Sequence, residues 1–90
     1  MLFVALCRVR AGTTRERTAR RIEWQVPAGA KPVAEYWLQT PDPQVILVFE
    51  ADSVAPIIAA VSAWDDLFDI AVYPAITAEE GLQAAKQMQG

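Results

Sequence analysis

Two short segments of the chain are apolar at every position, and they constrain the fold most. They are Leu2–Cys7 (LFVALC) and Val45–Phe49 (VILVF). A strand with one face in water alternates apolar and polar residues, whereas an unbroken apolar run is typical of a strand covered on both faces. The chain has helices at only two crossover positions, enough to cover one face of a sheet. We therefore expect a second copy of the chain to cover the other face.

Turn and capping signals divide the 90 residues into the order β-α-β-β-α-β followed by a terminal helix. The predicted strands are Leu2–Arg10, Val33–Thr40, Gln44–Glu50 and Phe68–Tyr73. The predicted helices run from the capping box Thr13-x-x-Glu16 to about Gln25, from a cap at Asp52 or Ser53 to Asp65-Asp66, and from the capping box Thr77-x-x-Glu80 onward. This order predicts a ferredoxin-like α+β fold, with a four-stranded antiparallel sheet and both crossover helices on one face. Residues 1–90 form one domain.

The spacing of apolar residues predicts which side of each helix faces the sheet. In the first helix we expect Thr18, Ala19 and Ile22 to face inward and the arginines to face solvent. The second helix has an i, i+3, i+4, i+7 stripe that predicts its inward residues: Val54, Ile57, Ile58, Val61 and Trp64. The terminal helix has Leu82, Ala85 and Met88 on one face, and Pro74 is expected to end the last strand.

Composition excludes several classes of function. The net charge of −3 argues against a nucleic-acid-binding protein. A module that stacks RNA on its sheet needs aromatic and basic residues on strands one and three, and strand three has one aromatic residue, Phe49, and no cation. With no histidine and one cysteine, we expect no metal site, no cofactor and no internal disulfide. No segment approaches the length of a membrane span or has a signal peptide's pattern, so we expect a cytoplasmic protein.

The chain resembles the dimeric α/β-barrel superfamily, which includes small monooxygenases, haem-degrading enzymes and lactone isomerases. Within it, the chain is similar to a small bacterial family described only as a domain of unknown function. The matching pieces extend over nearly the whole chain: Met1-Leu2-Phe3, Gly12, Trp37, Ile46–Asp52 (ILVFEAD), Trp64-Asp-Asp-Leu-Phe-Asp69, Val72-x-Pro74 and Glu79-Glu80. The resemblance implies a homodimer whose two sheets pack face to face, with a cleft for a small ligand between each sheet and its helices. The histidine on which the haem-degrading members rely has no counterpart here.

Four residues are the candidates for contact with a ligand: Cys7, Trp24, Trp37 and Trp64. Cys7 is the only soft nucleophile, but a free cysteine in an apolar strand usually packs, and Arg8 points to the opposite face. The tryptophans could enclose a flat aromatic molecule, or they could simply fill the core and a dimer interface. We expect Trp64 in the core and Trp24 nearest a ligand. Trp37 shares its parity with Glu35, so we place it on the dimer-facing side.

Charged residues offer weaker candidates. Arg17, Arg20 and Arg21 form a positive ridge on the first helix, which we interpret as a solvated face or, second, as a contact with another subunit. Asp65, Asp66 and Asp69 lack the spacing of a calcium loop, so we interpret the first two as the end of a helix with a compensating arginine nearby. Glu35 and Glu50 could act as general bases if desolvated, or could face water.

The sequence therefore predicts a homodimer that binds a small apolar or aromatic molecule between sheet and helices. Two alternatives stay open. One is a non-catalytic protein-interaction or regulatory module, and the other is a cofactor-independent monooxygenase or isomerase. No catalytic residue is predicted.

Overall fold

Four strands form one antiparallel sheet, in which the second strand of the chain lies at one edge and is followed by the third, the first and the fourth. The computed structural model describes residues 1–89. The strands are β1 (Leu2–Val9), β2 (Lys31–Trp37), β3 (Val45–Glu50) and β4 (Phe68–Ala75), and the helices are α1 (Thr14–Glu23), α2 (Ala55–Ser62) and α3 (Ala78–Gln89). This is the βαββαβ order with a terminal helix, so the predicted ferredoxin-like α+β fold is confirmed.

The two faces of the sheet have different surroundings. On β1 the side chains of Phe3, Ala5 and Cys7 are buried beneath the helices. Their neighbours alternate to the other face, because successive side chains of a strand point to opposite sides. There the cross-strand register pairs Val4 with Val48. The apolar core therefore lies only on the side of the sheet that carries α1 and α2.

Two adjoining groups of buried residues make up this core. Both groups contain residues from β1 together with residues from β3 or from the segments that follow it. The first group consists of Ala5, Cys7, Trp64, Leu67 and Phe68. The second group consists of Phe3, Phe49, Ala51 and Ile57. Trp24 is half-buried and packs against both groups. The end of α1 is thereby held over the middle of the sheet.

Helix α1 begins as predicted, but its inward face differs from the prediction. Of the three residues expected inside, Thr18 is half-buried and lines the cavity, whereas Ala19 and Ile22 are exposed. The Thr13 hydroxyl accepts a hydrogen bond from the Glu16 backbone N–H, which satisfies one orphan donor of the first turn. Ile22, expected inside, is 75% exposed, whereas Arg17 is buried. The reason is that arginine has a long apolar stem, which can cover an aromatic ring while its charged end finds partners.

Helix α2 confirms only part of its predicted apolar stripe. Ile57 and Trp64 are buried, but Ile58 is 58% exposed and Val54 is also exposed. The helix has only two turns, too narrow a contact with the sheet to bury the whole stripe. Its N-cap is Val54, not Asp52 or Ser53, and no side chain caps it.

Both edge strands, β2 and β4, have bounds that differ from the prediction. Pro74 was expected to end the last strand, yet β4 continues through it, opposite Phe3. Proline is tolerated in an edge strand, where one row of N–H groups needs no ladder partner. Strand β2 starts earlier and ends earlier than predicted, with Lys31 opposite Glu50 and Trp37 opposite Val45.

Helix α3 extends away from the rest of the chain. The Thr77 hydroxyl accepts from the Glu80 backbone N–H, and the Glu80 carboxylate accepts from Thr77, so the predicted capping box is confirmed. None of its described side chains is buried, and Leu82 and Met88 are 63% and 87% exposed. The apolar stripe of α3 is thus unused within the chain.

Candidate functional site

A cavity of about 380 Å³ lies between the helix-bearing face of the sheet and the two crossover helices. Its floor is formed by β1 and β3, its roof by α1 and α2, and one end by the segment after β2. The size falls within the range of small-molecule sites, and most of the lining is apolar or aromatic. Cys7, Trp24, Trp37 and Trp64 all line it. Their contact with a ligand stays a prediction.

Aromatic rings form the inner wall of this cavity. Trp24 meets Trp64 edge to face, with ring centroids 5.7 Å apart and planes at 85°. Trp64 in turn packs against Phe68 at 5.8 Å. Trp64 is buried in the core, as expected, while the half-buried Trp24 presents part of its ring to the cavity. Such pairs hold their geometry, so this wall is preformed.

The placement of Trp37 on the dimer-facing side of the sheet was wrong. Trp37 is opposite Val45, and Glu35 is opposite Leu47, so both point to the helix side. The Trp37 indole N–H donates to a Glu35 carboxylate oxygen at 2.6 Å. The ring is 57% exposed, which places it at the rim of the cavity.

Glu35 has an unexpected position inside the cavity, paired with an arginine of α1. The Arg21 guanidinium donates to both Glu35 oxygens, with Nη2 at 2.8 Å and Nε at 3.1 and 3.2 Å. Burial by itself would raise the pKa of Glu35, but the hydrogen bonds from Arg21 and Trp37 outweigh it and the pKa is lowered. An ionised, hydrogen-bonded carboxylate is a weak base, so the predicted alternative of Glu35 as a general base loses support. Glu50, the other candidate, pairs with the amino terminus of Met1.

Cys7 is in the cavity floor as a protonated thiol. The residue is only 3% exposed, on the parity expected from the sequence. Burial, and secondly the charge of Glu35, raise the pKa of the Cys7 thiol to about 11. Since the thiolate is the reactive form, Cys7 is suited to packing and not to nucleophilic attack at neutral pH.

Arg17 is the main cavity residue that the sequence analysis did not place there. It is 8% exposed, and its guanidinium carbon lies 5.8 Å from the centre of the Phe68 ring. Nη1 donates to the carbonyl oxygens of Ala11 and Gly12 at 2.9 and 2.8 Å. Nε donates to Gln44 Oε1 at 3.1 Å, and Nη2 donates to Thr14 Oγ1 at 3.4 Å. At Arg17 the ridge is therefore buried, whereas Arg20 and Arg21 are partly exposed.

All three ridge arginines cover an aromatic ring of the same chain. Arg20 lies 5.5 Å from the centre of Trp64, and Arg21 lies 5.6 Å from that of Trp24. The sequence did carry a signal for this arrangement. Arg17, Arg20, Arg21 and Trp24 are spaced i, i+3, i+4, i+7, the spacing of one helix face.

The aspartates after α2 have structural partners. Arg20 binds both carboxylate oxygens of Asp66 at 2.6 and 2.9 Å, which is the compensating arginine that the sequence predicted. Arg10 donates to the Asp65 carbonyl oxygen at 2.9 Å and lies 3.9 Å from the Asp69 carboxylate. Among residues 1–89, no three acidic, cysteine or histidine side chains come together as a metal site would require.

The opposite side of the sheet presents a second candidate surface, which we call the open face. It consists of half-buried apolar residues of the two central strands: Leu2, Val4, Leu6, Ile46 and Val48. Tyr36 on β2 and Tyr73 on β4 flank these residues and are 61% and 54% exposed.

The helices within residues 1–89 lack the length and apolar character that a membrane-spanning helix requires.

Comparison with known families assigns the chain. The model of a family described as "Domain of unknown function (DUF3303)" matches residues 1–89. The chain belongs to this family. The match agrees with the family resemblance inferred from Met1-Leu2-Phe3, Trp37 and the Ile46–Asp52 stretch. Comparison with curated proteins and with solved structures gave no significant match.

Proposed function

We propose that this DUF3303 protein is a cytoplasmic homodimer that binds a small apolar or aromatic molecule in the cavity of each subunit. The observation that carries the proposal is the cavity itself, about 380 Å³ in volume and lined by three tryptophans and Phe68. Small-molecule sites are typically concave and apolar with a few polar groups at defined positions. Here those polar groups are Arg17, the Arg21–Glu35 pair and Gln44.

The apolar character of the open face supports the dimeric part of the proposal, in which this face packs against a second copy. Val4, Leu6 and Val48 lie at the centre of that face, and charged residues such as Arg8 and Asp69 lie toward its edge. An apolar, aromatic-flanked centre with a polar rim is the usual anatomy of a stable interface. A lone sheet with one apolar side in water would also be poorly stabilised in a chain this small.

Binding is better supported than catalysis. A catalytic cysteine needs a depressed pKa, whereas that of Cys7 is raised to about 11. A general base needs a pKa near the working pH. Burial would raise the pKa of Glu35, but the hydrogen bonds from Arg21 and Trp37 outweigh burial and lower it. The cavity thus offers an aromatic enclosure and hydrogen-bonding groups, without an activated nucleophile or base among its lining residues.

Filling the cavity tests the ligand-binding part. Ala60 is 6% exposed and lines the cavity from α2, so Ala60→Leu should occupy part of the ligand volume. Titration calorimetry with 1-naphthamide, a small neutral aromatic probe, should show binding to the unaltered protein. We expect about tenfold weaker binding to the variant, because the ligand must then compete with a buried side chain.

The neighbouring alanine supplies the matched control. Ala59 is on the same helix but exposed, so Ala59→Leu should bind the probe as tightly as the unaltered protein does. Equal affinity of all three proteins for the probe would contradict the assignment of the cavity as a ligand site.

A further inference from the structure

We propose that the molecule bound in the cavity is an anion, an aromatic or apolar carboxylate whose charged group meets Arg17. This inference rests on the proposed ligand-binding function and names the class of ligand. Its basis is a buried cation without a carboxylate partner, at the wall of an otherwise apolar cavity.

The charge of the cavity is not balanced by its own lining. Its titratable lining residues are Cys7, Arg17, Arg21 and Glu35. Arg21 and Glu35 neutralise each other through two-pronged hydrogen bonding, and Cys7 is an uncharged thiol at neutral pH. No acid among residues 1–89 lies within ion-pair distance of Arg17, so one positive charge remains.

A buried charge is normally paired, because burial removes its hydration. The partners of Arg17 are two backbone carbonyls, the Gln44 amide and the Thr14 hydroxyl, all of them neutral. These groups satisfy hydrogen bonds but do not neutralise the charge. A carboxylate ligand would supply the missing opposite charge in a place where water screens it weakly.

One N–H of Arg17 is also available for a ligand. A guanidinium has five N–H groups, and the four described bonds leave one hydrogen of Nη2 unpaired. Nη2 is on the cavity side, since its partner Thr14 lines the cavity, whereas Ala11 and Gly12, the partners of Nη1, do not. The Thr14 hydroxyl accepts from Arg17 and keeps its own proton to donate. Nη2 and Thr14 together therefore present two donors to one carboxylate.

The test compares 1-naphthoate with 1-naphthamide, which has nearly the same shape and no charge. On the unaltered protein, calorimetry should give at least about tenfold tighter binding of the naphthoate, as expected for a charge-assisted hydrogen bond in a dry site. Arg17→Met should lower naphthoate affinity by about the same factor. Naphthamide affinity should fall much less, because the neutral amide loses a hydrogen bond but no charge pairing.

Arg20→Met is the matched control, since Arg20 lies on the same helix but binds Asp66 and does not line the cavity. It should leave the preference for naphthoate intact. If Arg17→Met fails to fold, the Nε–H resonance of Arg17 in the ¹⁵N spectrum of the unaltered protein decides instead. It should shift on addition of both probes, because both place an aromatic ring near Arg17, and the shift should be clearly larger with naphthoate.

Two results would overturn the inference while leaving the ligand site in place. They are equal or tighter binding of the naphthamide, and a preference for naphthoate that survives Arg17→Met or occurs without any shift of the Arg17 resonance. Absence of binding by both probes would instead remove the proposed function, and the inference with it.

Discussion

Glu35 shows how the fold changes the behaviour of a single residue. Its carboxylate lies on the helix side of an edge strand and accepts hydrogen bonds from Arg21 and from the Trp37 indole. Burial opposes ionisation, but these donors outweigh it, so the pKa lies below the ordinary value of 4.5. The stabilisation from this pairing is fully present above the unfolded-state pKa and is lost as the pH falls through the lower folded-state pKa.

We therefore expect Glu35→Gln to lower the free energy of unfolding at about pH 7 by about 1 kcal/mol, the upper end for a partly exposed ion pair. The difference between the two proteins should shrink steadily as the pH falls through the lowered folded-state pKa of Glu35, where the unaltered carboxylate also takes up a proton. Urea unfolding followed by tryptophan fluorescence measures both quantities.

Glu23→Gln provides the comparison at this scale, because Glu23 is exposed on α1 and makes no ion pair within residues 1–89. It should change stability little at either pH. A Glu35→Gln penalty that stayed constant from neutral to acid pH would show that the pairing does not depend on the carboxylate charge.

At the scale of elements, the sequence specified strand and helix order but not every face. Capping residues such as Thr13 and Thr77 act locally, so the helix starts they predict are confirmed. The inward face of α1 depends on partners far along the chain: Glu35 is 14 residues from Arg21, and Asp66 is 46 residues from Arg20. Arginine is polar by class but apolar along its stem, so a simple apolar stripe misses this face.

The sequence likewise predicts some residues of the candidate site correctly and others wrongly. The apolar parity of β1 placed Cys7 correctly, and the firm stripe of α2 placed Trp64. The parity shared with Glu35 predicts the dimer-facing side for Trp37. This prediction is wrong because Glu35 pairs with Arg21 on the helix side. Polar residues indicate a wet face only when no opposite charge comes from another element.

Helix α2 offers a direct test of which residues it buries. Ile57 is 1% exposed and Ile58 is 58% exposed, although the sequence pattern assigned both to the inward stripe. Ile57→Ala should lower the free energy of unfolding by about 2–5 kcal/mol, since it leaves a cavity in the core. Ile58→Ala should cost less than about 1 kcal/mol. Thermal or urea unfolding of the two variants side by side checks this, and similar losses at both positions would mean that the helix is rotated.

At the scale of the whole molecule, the proposed homodimer depends on the two faces of the sheet being buried to different extents. The helices bury Phe3, Ala5 and Phe49 on one side. On the other side, Val4, Leu6 and Val48 are only half-buried within residues 1–89. The exposed apolar side chains of α3, among them Leu82, add to the surface available for contact. In the proposed homodimer, a second copy packed sheet to sheet would remove the open face from water on both subunits at once.

Val48→Asp tests this arrangement at the centre of the open face. In a dimer the new carboxylate would be desolvated without a partner, which costs about 3–5 kcal/mol. Subunit association should therefore be lost. Ile58→Asp places the same charge on the exposed side of α2 and should leave association unchanged.

Sedimentation equilibrium at micromolar concentration measures most directly whether two chains associate through the open face. We expect the unaltered protein and Ile58→Asp to have twice the 9.9 kDa mass of the chain, and Val48→Asp to have the mass of one chain. A folded, unaltered protein that sediments as a single chain would contradict it, as would a Val48→Asp variant that remains a dimer.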